Sequence, residues 1–125
     1  MNKMDISKNL YSKFLAEKNL VKKSSLRKEI IELLRQLAYS GNKDAQFELG
    51  QQYEDTGLLK ENPKKALYWY LKAAKREHGE ACNCVGYYYE HGIGVQKNRR
   101  TAIAWYQAGA NAGCLTAKHN LELSR

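Results

Sequence analysis

The sequence predicts an all-α protein, a short α/α solenoid (superhelix) of about three stacked helix-turn-helix repeats with helical caps. The first observation is that the sequence repeats itself at an offset of 36 residues, a length typical of stacked helix pairs. The second is the helical spacing of the apolar residues within each repeat. The third is composition, because one proline and nine glycines in 125 residues are too few for the many turns of an all-β protein.

The internal repeat rests on identical or similar residues at equivalent positions. The first set is Asn62, Ala66, Leu67, Trp69, Tyr70 and Ala74, which align with Asn98, Ala102, Ile103, Trp105, Tyr106 and Ala110. The second set is Ala45, Leu49, Gly50 and Tyr53, which align with Ala81, Val85, Gly86 and Tyr89. We expect the structural core to contain Ala45, Leu49, Tyr53, Trp69, Tyr70, Val85, Tyr89, Trp105 and Tyr106.

Each repeat predicts two helices, A and B. Helix B begins at Asn62 or Asn98 because asparagine caps helix N-termini, and Pro63 suits the first helical position. Between the helices of the second copy, Gly92 and Gly94 supply the positive φ that a helix end and tight reversal require. The expected helices span about 6–19, 25–39, 42–56, 62–76, 78–91, 98–112 and 114–124.

The two ends of the chain match the repeat less well. Residues 1–24 predict an N-terminal helical cap, and residues 25–125 predict the repeat region within a single domain overall. The segment 18–25 is the best candidate loop. Glu122 stands where the repeat has Gly50, so we expect the last A helix to be a solvent-facing cap.

The chain is basic, with a formal net charge of +8. A basic surface attracts an acidic protein, nucleic acid or anionic lipid, although the charge could serve solubility alone. The sequence contains no apolar run long enough for a membrane span and no apolar segment typical of a secretory signal. We therefore expect a cytoplasmic protein.

The candidate binding residues lie where the two copies differ, because the fold does not fix those positions. In stacked helix pairs the A helices line the concave face, and tyrosine is common at binding hot spots. The expected partner-binding residues on these helices are Tyr87 and Tyr88 first, then Gln51, Phe47, Asn83 and His91. The alternative for Tyr88 is packing against a neighbouring helix.

A second candidate surface is basic, with one cluster at the N-terminal end of the chain and another at the start of the last B helix. The first contains Lys22, Lys23, Arg27 and Lys28, and the second contains Lys97, Arg99 and Arg100. Arg99 and Arg100 could bind a phosphate or carboxylate there, because a helix N-terminus attracts anions. The alternative is that both side chains are solvated loop charges.

The sequence offers little support for metal binding or catalysis. His78 and Cys82 could share a helical face, but a zinc site needs four ligands and no second cluster is present. Buried free thiols are the favoured interpretation of the cysteines. No phosphate-binding loop or nucleophile motif occurs, and no pair of carboxylates is spaced for acid–base work. We therefore expect no enzyme activity, no cofactor and no metal.

The combined motif resembles the SLR (Sel-one-like repeat) family, which is similar to tetratricopeptide repeats. Its residues here are Ala45-x-x-x-Leu49-Gly50-x-x-Tyr53 and Ala66-Leu67-Tyr68-Trp69-Tyr70, recurring as Ala81-x-x-x-Val85-Gly86-x-x-Tyr89, Gly92-Ile93-Gly94-Val95 and Ala102-Ile103-Ala104-Trp105-Tyr106. The chain departs from the pattern at Thr56, Leu58, Glu77 and Gly109.

The resemblance implies a non-catalytic adaptor or scaffold that binds another protein. Some family members are bacterial immunity proteins, so a more specific hypothesis is an antitoxin that neutralises a cognate toxin with an acidic surface. The alternative from a different class is a basic module that binds nucleic acid or another anionic surface. A hydrolase is a third hypothesis.

Overall fold

The computed structural model describes residues 2–125, and all the regular secondary structure in that range is helical. Seven helices follow one another: α1 (Lys3–Ala16), α2 (Leu20–Tyr39), α3 (Lys43–Gln52), α4 (Pro63–Ala74), α5 (Gly79–His91), α6 (Arg99–Asn111) and α7 (Leu115–Ser124). Each helix packs against the next, and α5 also contacts α7. This arrangement confirms the predicted helical repeat fold.

Asparagine begins five of the seven helices. The side chains of Asn2, Asn19, Asn42, Asn62 and Asn98 each accept a hydrogen bond from a backbone N–H two or three residues further along. These bonds satisfy N–H groups that have no partner within the helix. The predicted starts of the two B helices are therefore confirmed.

The first hairpin differs most from the prediction. Helix α1 begins three residues earlier than expected, at Lys3, because Asn2 caps it. Most of the expected loop 18–25 is helical, since the Asn19 side chain accepts hydrogen bonds from Val21 and Lys22 and starts α2 at Leu20. The predicted boundary between the N-terminal cap (1–24) and the repeat region (25–125) thus falls inside α2. Helices α1 and α2 pack together as a hairpin.

The two A–B loops have different geometries. Helix α3 ends at Gln52 rather than at residue 56, because the Leu59 N–H donates to the Gln52 carbonyl at 2.9 Å and the chain turns there. The second loop instead uses Gly92 and Gly94, with φ of 68° and 66°. Residues 53–62 contain no positive φ, so Gly57, the one glycine of the first loop, does not form the same turn as Gly92 and Gly94.

The repeated glycines allow each A helix to approach its B helix closely. Tyr70 and Tyr106 are fully buried, and each ring lies against the glycine of its own A helix. A Cβ added at Gly50 would come within 2.7 Å of the Tyr70 ring, and one at Gly86 within 2.6 Å of the Tyr106 ring. The small and large residues of the motif are therefore complementary parts of one packing unit.

The two tryptophans occupy different environments, which corrects the expectation that both belong to the closed core. Trp69 is buried because the rings of Tyr39 and Tyr68 pack against it, each with a centroid distance of 5.2 Å. Thirty-six residues later the equivalent positions hold a lysine and an alanine, and Trp105 is only half-buried. Tyr89 is half-buried as well.

The turns between repeats require a left-handed residue at one repeated position. Gly41 and Gly113 have φ of 97° and 92°, and Glu77 occupies the equivalent position with φ of 65°. A residue with a Cβ is strained in this region, whereas glycine is not.

We expect Glu77→Gly to raise the free energy of unfolding by about 0.5–1 kcal/mol, because relief of the strain outweighs the added freedom of the unfolded chain. Chemical denaturation of both proteins measures the change. The matched reverse variant is Gly113→Ala, since an added Cβ there meets no atom within 4 Å and introduces strain alone. A lower midpoint for Glu77→Gly than for the parent chain would contradict this account of the turn.

Candidate binding surfaces

A carboxylate after helix α3 links three helices. Glu54 accepts hydrogen bonds from the hydroxyl of Tyr70 in α4 and, at 3.2 Å, from the hydroxyl of Tyr88 in α5. The bridge therefore joins the first repeat to the A helix of the second. Tyr88 is 5% exposed, which corrects the expectation that it lies on the binding surface and favours the alternative that it packs against a neighbouring helix.

The same bridge recurs one repeat later. Glu90 accepts a hydrogen bond from the Tyr106 hydroxyl at 3.3 Å and from the Ser124 hydroxyl at 3.2 Å. Ser124 stands 36 residues after Tyr88, so the serine replaces the second tyrosine in the last repeat. This role of Glu54 and Glu90 was not predicted, although the identity of the two residues at equivalent positions was the signal for it.

Burial and the nearby carboxylates change the acidity of the groups around these bridges. Burial, followed by the effects of Glu54 or Glu90, raises the pKa of Tyr70, Tyr88 and Tyr106 well above the usual value of 10. Burial also raises the pKa of the Cys84 thiol to about 12. These hydroxyls and this thiol are therefore protonated at neutral pH and serve structure.

Phe47 also lies in the core rather than on the predicted binding surface. It is 7% exposed, and its ring packs against Tyr70 and stacks on the His78 imidazole with a centroid distance of 4.6 Å. The A helix packs against its own B helix and also against the next hairpin. This double packing buries a wider arc of the helix than the repeated positions alone indicate.

Two of the predicted residues on α5 are exposed together. Tyr87 is 48% exposed, and its ring lies 4.2 Å from the His91 ring, measured between centroids. Asn83, another predicted residue on α5, accepts a hydrogen bond from the Asn120 side chain at 2.8 Å and so helps to hold α5 against α7. Tyr87 remains available for a partner, whereas the Nε2 atom of His91 lies 3.1 Å from a Glu90 carboxylate oxygen.

The two arginines at the start of α6 differ in their surroundings. Arg99 donates a hydrogen bond to the carbonyl of Ser124 at 2.6 Å, so its guanidinium ties the start of α6 to the end of α7. This corrects the expectation that Arg99 and Arg100 form one free anion-binding pair. Arg100 is exposed and remains available.

The predicted residue Gln51 lies in a groove bounded by α1, α2 and α3, here called the α1–α3 groove. Its volume is about 470 Å³. Hydrogen-bonding side chains line it, and Ile30 and Leu34 of α2 contribute apolar surface. The principal polar residues are Ser7, Lys8, Ser12, Glu48, Gln51 and Gln52.

Glu48 is the chemically distinctive residue of this groove. Burial raises the pKa of its carboxyl group above the usual value, Lys8 opposes the shift, and the carboxylates of Glu80 and Asp44 add to it. A second positive charge near Glu48 would therefore stabilise the ionised form of this partly desolvated carboxylate. Lys8, Ser12 and Glu48 were not predicted as site residues, because α1 matches the repeat poorly and only tertiary packing brings it to the same groove as α3.

The histidine and cysteines considered for a metal site have other roles. His78 caps α5, and its Nδ1 accepts a hydrogen bond from the Ala81 N–H at 3.1 Å. Cys82, Cys84 and Cys114 are free thiols, of which Cys82 is buried. The residues that the structure describes contain no group of three potential ligands arranged for a metal ion. None of the helices described combines the length and apolar character needed to cross a membrane.

The comparisons with known proteins agree with this architecture. A family model described as Sel1 repeat matches residues 43–78 and 79–114. The chain is also similar to a solved structure, Helicobacter pylori cysteine rich protein B, with a TM-score of 0.74 and 24% identity over 95% of this chain and 93% of that one. At this identity the structural likeness shows the fold alone.

Two curated proteins are similar in sequence. Chitin synthase regulatory factor 3 of Schizosaccharomyces pombe is 35% identical over 92 residues, which cover 70% of this chain and 10% of that protein. DAP3-binding cell death enhancer 1 of Rattus norvegicus is 34% identical over 95 residues, which cover 76% of this chain and 18% of that protein. The matched segments thus span less than a fifth of the length of either relative.

Proposed function

Because the chain belongs to the Sel1 repeat family, whose repeats mediate protein–protein interactions, we propose that it is a non-catalytic scaffold that binds a polypeptide in the α1–α3 groove. The observation that carries the proposal is the half-buried carboxylate of Glu48 in a groove otherwise lined by neutral hydrogen-bonding groups and Lys8. A concave shape with convergent polar groups is a common feature of binding sites.

The charges around the α1–α3 groove favour a partner segment that carries a positive side chain. Asp44, Glu48 and Glu80 all influence the same site, so a lysine or arginine of the partner would relieve their mutual repulsion. The Gln51 side chain can bond the partner's backbone because it supplies both donors and an acceptor, and the Ser12 oxygen can accept while its O–H donates to the Lys8 carbonyl. The exposed pair Tyr87 and His91 on α5 would extend the contact along the partner.

A more specific candidate is an immunity protein that neutralises a cognate toxin. The net charge of +8 supports it, because a basic chain could mask an acidic toxin surface. This candidate predicts a one-to-one complex with a protein encoded beside it. Co-purification from the native host, followed by mass measurement of the complex, tests it, and recovery of the chain without any stoichiometric partner counts against it.

The groove is tested by selection of peptides from a random library on the immobilised full chain. We expect selected peptides to carry lysine or arginine, and Glu48→Gln to weaken their binding by about tenfold, or ~1.4 kcal/mol. Tyr87→Ala should weaken binding to a smaller extent. Titration calorimetry with each selected peptide measures both effects.

The matched control is Glu29→Gln, which removes an equal charge from an exposed position on α2. It should leave peptide affinity unchanged. Selection of no peptide at all, or equal affinity in the parent chain and in Glu48→Gln and Tyr87→Ala, would remove the proposal. Equal thermal midpoints of the variants exclude misfolding as the cause of weaker binding.

A further inference from the structure

A second groove lies between helix α2 and the loop that joins α3 to α4. Its volume is about 580 Å³, and its apolar floor is formed by Ile31, Leu58 and Leu59. Ile31 is buried, whereas the two leucines are half-buried and pack against the main core. The backbone bond from the Leu59 N–H to the Gln52 carbonyl fixes the loop wall of this groove.

Four exposed cations surround this floor, and we call the site the basic groove. They are Arg27, Lys28, Arg35 and Lys60, against the single carboxylate of Glu32. No salt bridge neutralises any of them, and no lysine or arginine within residues 2–125 forms one. The Glu32 carboxylate accepts a hydrogen bond from the Gln36 side chain instead.

The basic groove is separate from the α1–α3 groove. The two share no lining residue, and the α3–α4 loop lies between them, with Thr56 and Gly57 on one side and Leu58 to Lys60 on the other. Their chemistry also differs, because the first contains a half-buried carboxylate and the second contains four cations. A ligand of one charge therefore does not suit both grooves.

We propose that the basic groove binds an acidic, apolar segment of a second protein. Arg27, Ile31 and Arg35 follow one another at four-residue intervals, so they form one stripe on α2 about 12 Å long. An apolar side chain of the partner would cover Ile31 and Leu58, while its carboxylates would pair with the arginines on either side. The two grooves together make the chain an adaptor that joins two different partners.

The groove fits a peptide better than a nucleic acid. Proteins that bind single-stranded nucleic acids combine cations with aromatic rings on which bases stack. No aromatic side chain lines the basic groove, and its floor consists of aliphatic side chains. Aliphatic surface is covered favourably by leucine-like side chains, and guanidinium groups pair with carboxylates through two parallel hydrogen bonds.

The proposal is tested with three fluorescent peptides that share one amphipathic leucine pattern and carry glutamate, glutamine or lysine at the polar positions. Fluorescence anisotropy with the full chain should show the glutamate peptide binding at least about tenfold more tightly than the glutamine peptide. The lysine peptide should not bind in the basic groove, and any binding that it shows in the α1–α3 groove should be weakened by Glu48→Gln and not by a change in the basic groove. Rising salt should weaken the glutamate peptide most, because its contacts are between charges in open water.

The variant for this site is Arg27→Glu combined with Arg35→Glu and Lys60→Glu, which should weaken the glutamate peptide by at least about tenfold. The matched control makes the same charge change at Lys75, Lys97 and Lys118, which are exposed and outside the basic groove, and should have little effect. Equal loss in both triple variants, or equal affinity for the glutamate and glutamine peptides, would overturn the proposal.

A short oligonucleotide, single-stranded or duplex, is the competing probe. Binding of the oligonucleotide that is tighter than that of the glutamate peptide and is lost in the basic-groove variant would overturn the proposal in favour of a nucleic-acid site. Glu48→Gln should not change the affinity of the glutamate peptide. A negative result for peptide binding in the α1–α3 groove would therefore leave this test of the basic groove unaffected.

Discussion

Gly86→Ala is expected to lower the free energy of unfolding by about 3 kcal/mol, because the added methyl group has no space. It would lie 2.6 Å from two ring carbons of Tyr106 and 3.1 Å from the backbone carbonyl of Ala102. The Tyr106 ring is fully buried, and its hydroxyl is bonded to Glu90, so the ring cannot turn aside. Urea denaturation of the parent chain and the variant measures the loss.

Gly79→Ala provides the matched control within the same helix. A Cβ at Gly79 would meet side-chain atoms of Cys114 and Ala112 at 3.1 and 3.4 Å, distances that a small adjustment can accommodate. Gly79 is the first residue of α5, where the advantage of alanine over glycine in a helix interior is small, so we expect little change in stability. If Gly86→Ala lowers stability no more than Gly79→Ala does, then Gly86 is not required for the close packing of α5 on α6.

Alkaline pH is expected to destabilise the fold steeply. The folded-state pKa values of Tyr70, Tyr88 and Tyr106 lie above the usual value of 10, so from that pH upward the unfolded chain releases protons that the folded chain retains. The stabilisation present at lower pH is therefore lost as pH rises, by about 1.4 kcal/mol per pH unit for each group. Cys84 adds a loss that begins near pH 9 and ends near its folded pKa of about 12.

Urea denaturation at a series of pH values from neutral to about pH 11 measures this slope. Tyr106→Phe should reduce the slope of the free energy of unfolding against pH by about 1.4 kcal/mol per pH unit above pH 10, because phenylalanine has no hydroxyl proton to lose. Tyr68→Phe is the control, since that ring is 52% exposed. A slope in Tyr106→Phe identical to that of the parent chain would show that the buried hydroxyls do not control alkaline unfolding.

The repeated residues made most of the fold predictable. Asn62 and Asn98 mark helix starts through a local hydrogen bond, and Gly50 with Tyr70 predicts close helix packing through size alone. Such features depend on residues within one hairpin, which the internal comparison aligns directly. The Glu54 bridge was also encoded, because the same residue recurs 36 positions later.

The binding surfaces were less predictable because they depend on contacts between hairpins. Phe47 and Tyr88 differ from their counterparts in the other copy, yet both are buried where one hairpin packs on the next. A residue that differs between the two copies can therefore lie on a surface, or it can be buried against a different neighbouring helix. Lys8 and Glu48 illustrate the same limit, since they are far apart in sequence and come near each other only because α1 and α3 both pack against α2.

The central claim is that a polypeptide binds in the α1–α3 groove, and amide chemical shifts of the full chain titrated with a library-selected peptide test it most directly. The account predicts the largest shift changes at Lys8, Ser12, Glu48 and Gln51, with smaller changes near Tyr87. Shift changes confined to α6 and α7, with the groove amides unmoved at saturation, would contradict it.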